Sequence, residues 1–579
     1  MAETLISPGV LTRENDQSFV TTPPAERGAA IIGPTVLGPI ERPTIVSSFS
    51  AFQAIFGGTL ESGSRDYSYL TSIAANQYFQ NGGSSLLVTR VVSASATWAP
   101  ATSSYINTSS VGGHPGELVS AFVLETIGQG EIGNSTSSEI TNGGLLSGSA
   151  DNLRWEIASV NTASGVFSLL IRRGNDTNSN KVILESYNNI SLDPFASNYI
   201  SRAIGDITTT LVTEGTDTFL QESGSYPNIS SRVRVKQVNF NTPNYFNNDG
   251  TAKLEFTGSL PAVGSGSFGA GTGNNNPVGK AANFYEAIDS LDTQGLHGAD
   301  YNNAIALLAN EDDYQYNVIS APGLYYQDYS TQINSLMNNT IARGDSIAII
   351  DLVKYNQAIS SVTQQAAIID NSYSAAYWPW LQTIDPSSGL LVYVPASTFI
   401  PGVYAFTDAS SDPWFAPAGI TRGGMGQVVR AERKLTSTNR DTLYEANVNP
   451  IATFPQQGVV VFGQKTLQKA ASALDRVNVR RLLIALKSFI GQIADNLVFE
   501  QNTLATRQNF LTQVNPYLES VQQRQGLFAF KVVMDESNNT PDVIDRNELV
   551  GQIFLQPTRT AEFIILDFNV LPTGATFPA

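Results

Sequence analysis

Cysteine is absent from this 579-residue chain, which excludes a disulfide framework, thiol catalysis and thiolate metal sites. Histidine occurs only as His114 and His297, leaving little for imidazole-based metal binding or acid–base chemistry. Charge is scarce as well. Asp, Glu, Lys and Arg make up 14% of the residues, against about 25% in an ordinary soluble domain. Of those charges the basic ones are the minority, 33 against 50, for a formal net charge of −17. That balance argues against a nucleic-acid partner, which requires a basic footprint. No apolar run reaches the ~18 residues that mark a membrane span. No basic-then-apolar leader follows Met1. The expected product is soluble, is not inserted in a membrane, and stays in the compartment where it is made.

What is present is enough apolar material, 42%, for sizeable cores. The length suits roughly three or four domains at ~150 residues each. A surface this poor in charge must be covered by Ser, Thr, Asn and Gln or by other protein, a first hint of an assembly subunit.

Taken in order, residues 1–24 form an arm with strand-like patches (Leu5, Ile6, Val10, Phe19) and a Pro23-Pro24 stop. It reads either as a frayed terminus or as a strand added to another chain's sheet. Residues 25–92 open an α/β core. GAAIIG is a buried strand, SSFSAFQAIFGG a capped helix, YLTSIAANQYFQNGG a second helix and SSLLVTRVV a strand. Residues 93–280 turn Ser-, Thr-, Asn- and Gly-rich with short strands, the pattern of a β-rich insertion that protrudes from the core. Within it, GNDTNSN (Asp176, Asn178, Asn180) imitates a calcium loop. Lys181 and Tyr187 stand where its glycine and bidentate glutamate belong, so a hairpin turn is the better reading. GNNNPVGK (residues 273–280) imitates a phosphate loop with one residue too many and Ala281 in place of the hydroxyl, so it reads as a linker.

The α/β pattern resumes over 281–460. NFYEAIDSL reads as helix, YQYNVISAPG as strand, YSTQINSLMNNTIARG as helix and DSIAIIDL as buried strand, a parallel pair with a crossover. Asp351, at a strand end, reads as a loop cap rather than a catalytic acid. Residues 461–557 hold the strongest helix. Leu482, Leu486, Phe489, Ile490, Ile493 and Leu497 form one apolar stripe. GLFAFKVVMD and ELVGQIFLQP then read as two strands across a long turn, with Phe530, Val532, Ile553 and Leu555 among their apolar positions. A third run (Phe563, Ile565, Phe568) falls in the last segment, residues 558–579. So small a sheet has unpaired edges that something else must complete.

One series of motifs recurs in fixed order: SYSAAYWPWLQTIDP from Ser372, VYVPAS, PGVYAFTD and DPWFAPAG. It contains Tyr377, Pro379, Trp380, Asp408, Trp414, Pro417 and Gly419. With YEANVNPIATFPQQGVVVFGQKTL, DRVNVRRLL and NTPDVIDRNELVGQIFLQPTRTAEFIILDF, this series resembles the sheath proteins of contractile phage tails, especially those of large lytic long-tailed phages. The resemblance implies a multidomain α+β or α/β fold. Its core is a mixed sheet with helices, carrying the inserted β-rich region and extended terminal arms.

It also implies a non-enzymatic subunit with no cofactor, metal or nucleotide. Such subunits partner with themselves as hexameric rings in a helical polymer, with the tail tube protein, and with baseplate and tail-terminator or neck proteins. They sit in the virion tail and are assembled in the host cytoplasm. Neighbours in such sheaths exchange strands, so Met1–Val20 and the segment from Ala561 become donors to the Phe530/Ile553 sheet.

Residues between Gly463 and Asp535 carry nine basic and five acidic side chains, net +4. Arg476, Arg480, Arg481 and Lys487 are therefore candidate contacts to the tube, the bland alternative being a solvated face. Trp378, Trp380, Trp414 and Phe415 read as loop locks, or as an aromatic sugar platform. A sheath of a non-phage contractile injection system, a surface-layer or capsid-like protein, and a carbohydrate-active enzyme are the rival readings.

Overall fold

The computed structural model describes residues 28–62, 65–93, 98–108, 120–130, 152–215, 217–269, 284–385 and 388–562. The N-terminal arm (Leu5, Ile6, Val10, Phe19), the last positions (Phe563, Ile565, Phe568), His114 and the linker 273–280 lie outside them. The chain divides into two units. One comprises residues Leu486–Arg559 together with Met1–Glu26, and the other comprises Arg27–Ala485 with Thr560–Ala579.

The larger unit is organised by an eight-stranded sheet. Across it run Thr44–Val46, Leu86–Arg90, Ala29–Gly33, Val318–Tyr325, Ile347–Asp351, Ser374–Trp378, Val448–Phe454 and Gly458–Val461. The six inner strands are parallel and both outermost strands are antiparallel. Strands such as AAIIG, LLVTR and IAIID are buried at every position, as a sheet covered on both faces requires.

The crossovers follow the sequence reading. Leu70–Gln80 precedes Leu86–Arg90, and Tyr326–Arg343 joins Val318–Tyr325 to Ile347–Asp351, ending on Gly344 in a left-handed conformation. Phe49–Phe56 is capped by the Ser48 side chain, which accepts from the Ala51 amide. Asp351 is also a cap. Its carboxylate accepts the Ser397 amide (3.2 Å) and hydroxyl (2.5 Å).

Residues between Ala101 and Phe268 pack a second apolar core, separate from that of the large sheet. Its four-stranded sheet runs Ile183–Ser191, Val166–Arg173, Leu153–Asn161, Gly264–Ser267. A three-stranded sheet joins Val233–Val238, Phe122–Gln129 and Pro100–Thr102. The GNDTNSN segment is the turn between Val166–Arg173 and Ile183–Ser191, with Thr177 bridging Asn180.

One expected helix is absent among the described residues. NFYEAIDSL holds only a single 3-10 turn, Tyr285–Ala287. Packing overrides propensity there: Phe284, Tyr285 and Ile288 are all buried. The Tyr285 hydroxyl donates to Ser68 O at 2.8 Å, and the Phe284 ring lies 4.9 Å from that of Tyr67.

The smaller unit is built on the helix Leu504–Gln523 and a two-stranded sheet, Leu527–Val533 with Gln552–Pro557. Phe510, Val514, Leu518 and Val521 are buried from the helix, and Leu527 from the sheet.

Candidate functional site: an open two-stranded sheet and the arginines of the preceding helix

The two strands pair antiparallel, with Phe530 opposite Leu555 and Val532 opposite Ile553. These four side chains are half-buried, while Phe528, Lys531 and Phe554 are exposed on the other face. Alternation therefore assigns Phe530, Val532, Ile553 and Leu555 to the core of the small unit.

Neither strand has a second neighbour among the described residues. Each thus has one edge without a strand partner, and on the first strand Gln522 Nε2 donates to Phe528 O (2.9 Å) and Asn538 Nδ2 to Val533 O (2.8 Å). Lys531 is the single charge in the two strands, Pro557 ends the second, and a bulge interrupts the pairing between Leu527 and Ala529.

The connection between the strands is pinned by a residue the sequence did not signal. Asn539, 2% exposed, donates to Val550 O and accepts from Val550 N, both at 2.9 Å. A side-chain amide presents the same donor–acceptor pair as a peptide, so Asn539 extends the ladder past the turn. Asn502 braces it, donating to Glu548 O at 2.8 Å.

The helix expected over 475–500 is Val477–Asp495. Its arginines are not a free surface. Arg480 and Arg481 are each 4% exposed. The Arg480 guanidinium lies 3.9 Å over the Tyr373 ring and donates to Ser372 O and Oγ at 3.1 and 2.5 Å. Burial pulls its pKa down despite that ring.

Arg481 is spent on Asp408 and lies 4.6 Å from the Tyr404 ring. Arg476 pairs with Asp475 (3.0 Å) and with Glu562 (2.7 Å). Of the four cations singled out for the tube, only Lys487 is exposed. Arg480 and Arg481, expected as tube contacts, are thus buried against partners within the chain. A helix wheel shows a shared face but not the carboxylates and rings already facing it.

The aromatic motif is structural. Trp378, Trp380 and Trp414 are buried, which removes the sugar-platform reading, since a platform must present its ring faces. The Trp380 indole donates to Val353 O at 3.0 Å, and the Tyr377 and Tyr404 hydroxyls meet at 2.7 Å. Pro379 follows Trp378 at the end of its strand, and Pro417 and Gly419 shape the start of the short helix Gly419–Arg422, where Gly419 takes a positive φ of 83°. Tyr377 meets Tyr404, Trp380 meets Val353, and Asp408 meets Arg481, all within the large unit. No cluster of three or more potential metal ligands occurs among the described residues.

Residues 294–467 match the phage tail sheath protein central domain and residues 469–571 the phage tail sheath C-terminal domain. The tail sheath protein of Vibrio phage KVP40 is 31% identical over 348 residues, 58% of this chain and 51% of the relative. That of Enterobacteria phage T4 is 36% identical over 230 residues, 40% of this chain and 35% of the relative. The chain thus spans about half or less of the length of these relatives. A crystal structure of a sheath tail protein from Listeria innocua superposes over 92% of this chain and 96% of its own, with 10% identity and a TM-score of 0.49.

Proposed function

We propose that this chain, which carries the central and C-terminal domains of the phage tail sheath family, is a structural, non-enzymatic subunit of a contractile tail sheath. In this reading it polymerises with itself as stacked hexameric rings around a tail tube, bounded by baseplate and terminator proteins. It then contracts to drive the tube through the host envelope during genome delivery, with no cofactor and no nucleic-acid contact of its own. The virion tail is its place.

The observation that carries the reading is the open sheet Leu527–Val533/Gln552–Pro557, which lies inside the segment matching the sheath C-terminal domain. Its unpaired edges suit strands donated by neighbours, Met1–Val20 of one copy and the segment from Ala561 of another. Main-chain hydrogen bonds make a join that tolerates rotation of whole domains. Contacts that do not close on themselves build a helix of indefinite length.

Contraction is then a rigid-body change between two packings of the same subunits. The extended form is held by a kinetic barrier. A gain on the order of a few kcal/mol per subunit, summed over a long polymer, supplies the work.

Negative-stain microscopy of the purified full chain tests this. Tubular polymers are expected, and a variant lacking Met1–Val20 is expected to stay monomeric. Flat lattices or shells from the full chain would sink the reading, and normal tubes from the truncated one would sink the strand exchange.

A further inference from the structure

The chain leaves the larger unit along the helix Val477–Asp495 and returns to it at Thr560. At that return two side chains are seized. The Glu562 carboxylate accepts from Arg476 Nε (2.7 Å), Tyr444 Oη (2.6 Å) and Gln464 Nε2 (3.0 Å). Gln464 Nε2 also donates to Thr560 Oγ1 at 2.6 Å. We infer that Gln464, Arg476 and Tyr444 are a carboxylate clamp that seats the chain at Thr560–Glu562 and fixes where the C-terminal arm begins.

The residues making the clamp are themselves held. Lys465 bridges Arg476 through the backbone, and Val477 N donates to Gln464 O at 2.8 Å. The Lys465 ammonium lies 4.4 Å from the Tyr444 ring and donates to Tyr444 O at 2.7 Å. The Lys465 amide donates to Asn449 Oδ1 at 2.6 Å, and Asn449 Nδ2 reaches Ala376 O at 3.2 Å, both anchors lying on parallel strands of the large sheet. The Glu562 bond therefore runs through two residues into the sheet.

Arg476 and Glu562 stand 86 residues apart in sequence. Their bond closes, without a covalent link, the loop that contains Leu486–Arg559 of the smaller unit. Arg476 is the residue just before the exit helix, so exit and return are tied at one place. Three converging donors on one carboxylate are more than a surface pair needs, since charge-assisted bonds in a fixed fork give direction as well as energy. The arm that follows then starts from the sheet-bearing body. In the sheath reading, on which only this last step rests, a pull on an exchanged arm is borne by the central domain and bypasses the small unit.

Hydrogen exchange on the purified monomer decides the role. In Glu562→Ala, amides over residues 558–562 are expected to exchange about tenfold faster, the loss of roughly one strong hydrogen bond. Those of Val318–Tyr325 and Leu504–Gln523 should stay unchanged. Glu562→Gln, which keeps one acceptor for Arg476, should fall between. Arg476→Met should reproduce the Glu562→Ala pattern by an independent route. Unchanged exchange over 558–562 in both Glu562→Ala and Arg476→Met would overturn the clamp, as would a loss of protection throughout the parallel sheet. Neither result depends on polymerisation. Failure of the unaltered chain to form tubes would remove the sheath reading while leaving the clamp standing.

Discussion

Arg481 gives one nitrogen, Nη2, to both oxygens of Asp408, at 2.7 and 2.5 Å. The same guanidinium faces the Tyr404 ring, whose hydroxyl meets that of Tyr377. A helix residue is thereby locked to the motif that carries the family resemblance. The two partners are unequally buried: the Arg481 side chain is 4% exposed and that of Asp408 26%.

That asymmetry predicts unequal costs. Asp408→Ala leaves a buried cation without its carboxylate and should cost about 3 kcal/mol or more. Arg481→Met leaves an anion that water can reach, and it keeps most of the stem packing, so about 1–2 kcal/mol is expected. Urea unfolding of the two variants checks the order. Equal losses would mean that the ion pair does not carry the lock.

A buried ionic cluster predicts a stronger effect in the second core. Asp176 accepts from Arg172 Nε and Nη2 at 2.8 Å each, from Arg154 at 3.5 Å, and from the Val182 amide at 2.8 Å. Both arginines are fully buried. Asp176→Ala should cost about 3–5 kcal/mol and raise hydrogen exchange over 153–191 ahead of the large sheet. A cost under about 1 kcal/mol would show that the arginines find other partners.

Those two clusters also mark what a sequence reader can see. The GNDTNSN segment is legible as a turn because its Asn and Asp residues suit one and its calcium-loop match fails at Lys181 and Tyr187. That Asp176 points inward to two arginines is a long-range fact with no local signature. Buried strands such as AAIIG and IAIID declare themselves by unbroken β-branched or small apolar runs. Tyr285 does not, since its hydroxyl is fixed by Ser68, 217 residues away. The burial of Arg480 and Arg481 is hidden from the sequence for the same reason. Periodicity places them on a face, but only the fold brings Ser372, Tyr373 and Asp408 to them. The open sheet was legible as strands, whereas the Asn539 strap and the Glu562 clamp join side chains from separate stretches.

Pro516 lies inside the helix Leu504–Gln523, and its ring is exposed. A helix-interior proline forfeits one backbone hydrogen bond and crowds the preceding turn, at about 3 kcal/mol. Because the ring is exposed, Pro516→Ala should recover about 1–3 kcal/mol in the smaller unit. The adjacent Tyr517, stacked on Phe489 with ring centroids 3.7 Å apart, should be undisturbed. Slower hydrogen exchange across 504–523 is the expected readout. No change, or faster exchange, would mean that the proline fits a packing constraint around Tyr517.

Asp351 supplies a pH dependence whose sign can be fixed. Burial pushes its carboxyl up to about 7, against the opposing hydrogen bonds from Ser397. The folded chain therefore holds this proton more tightly than the unfolded chain, where the group titrates near 3.8. Its contribution is fully favourable below about pH 4 and is lost as pH rises through about 7. A tenfold difference in proton affinity between the two states is worth about 1.4 kcal/mol. Asp351→Asn keeps an acceptor for the Ser397 amide and carries no charge, so it should flatten the fall in stability between pH 4 and 7. At pH 8 it should equal or exceed the unaltered chain in stability. Thermal unfolding at pH 5 and pH 8 measures both arms. If the variant is less stable at pH 8 by as much as at pH 5, the ionised carboxylate is worth more to the Ser397 turn than its burial costs.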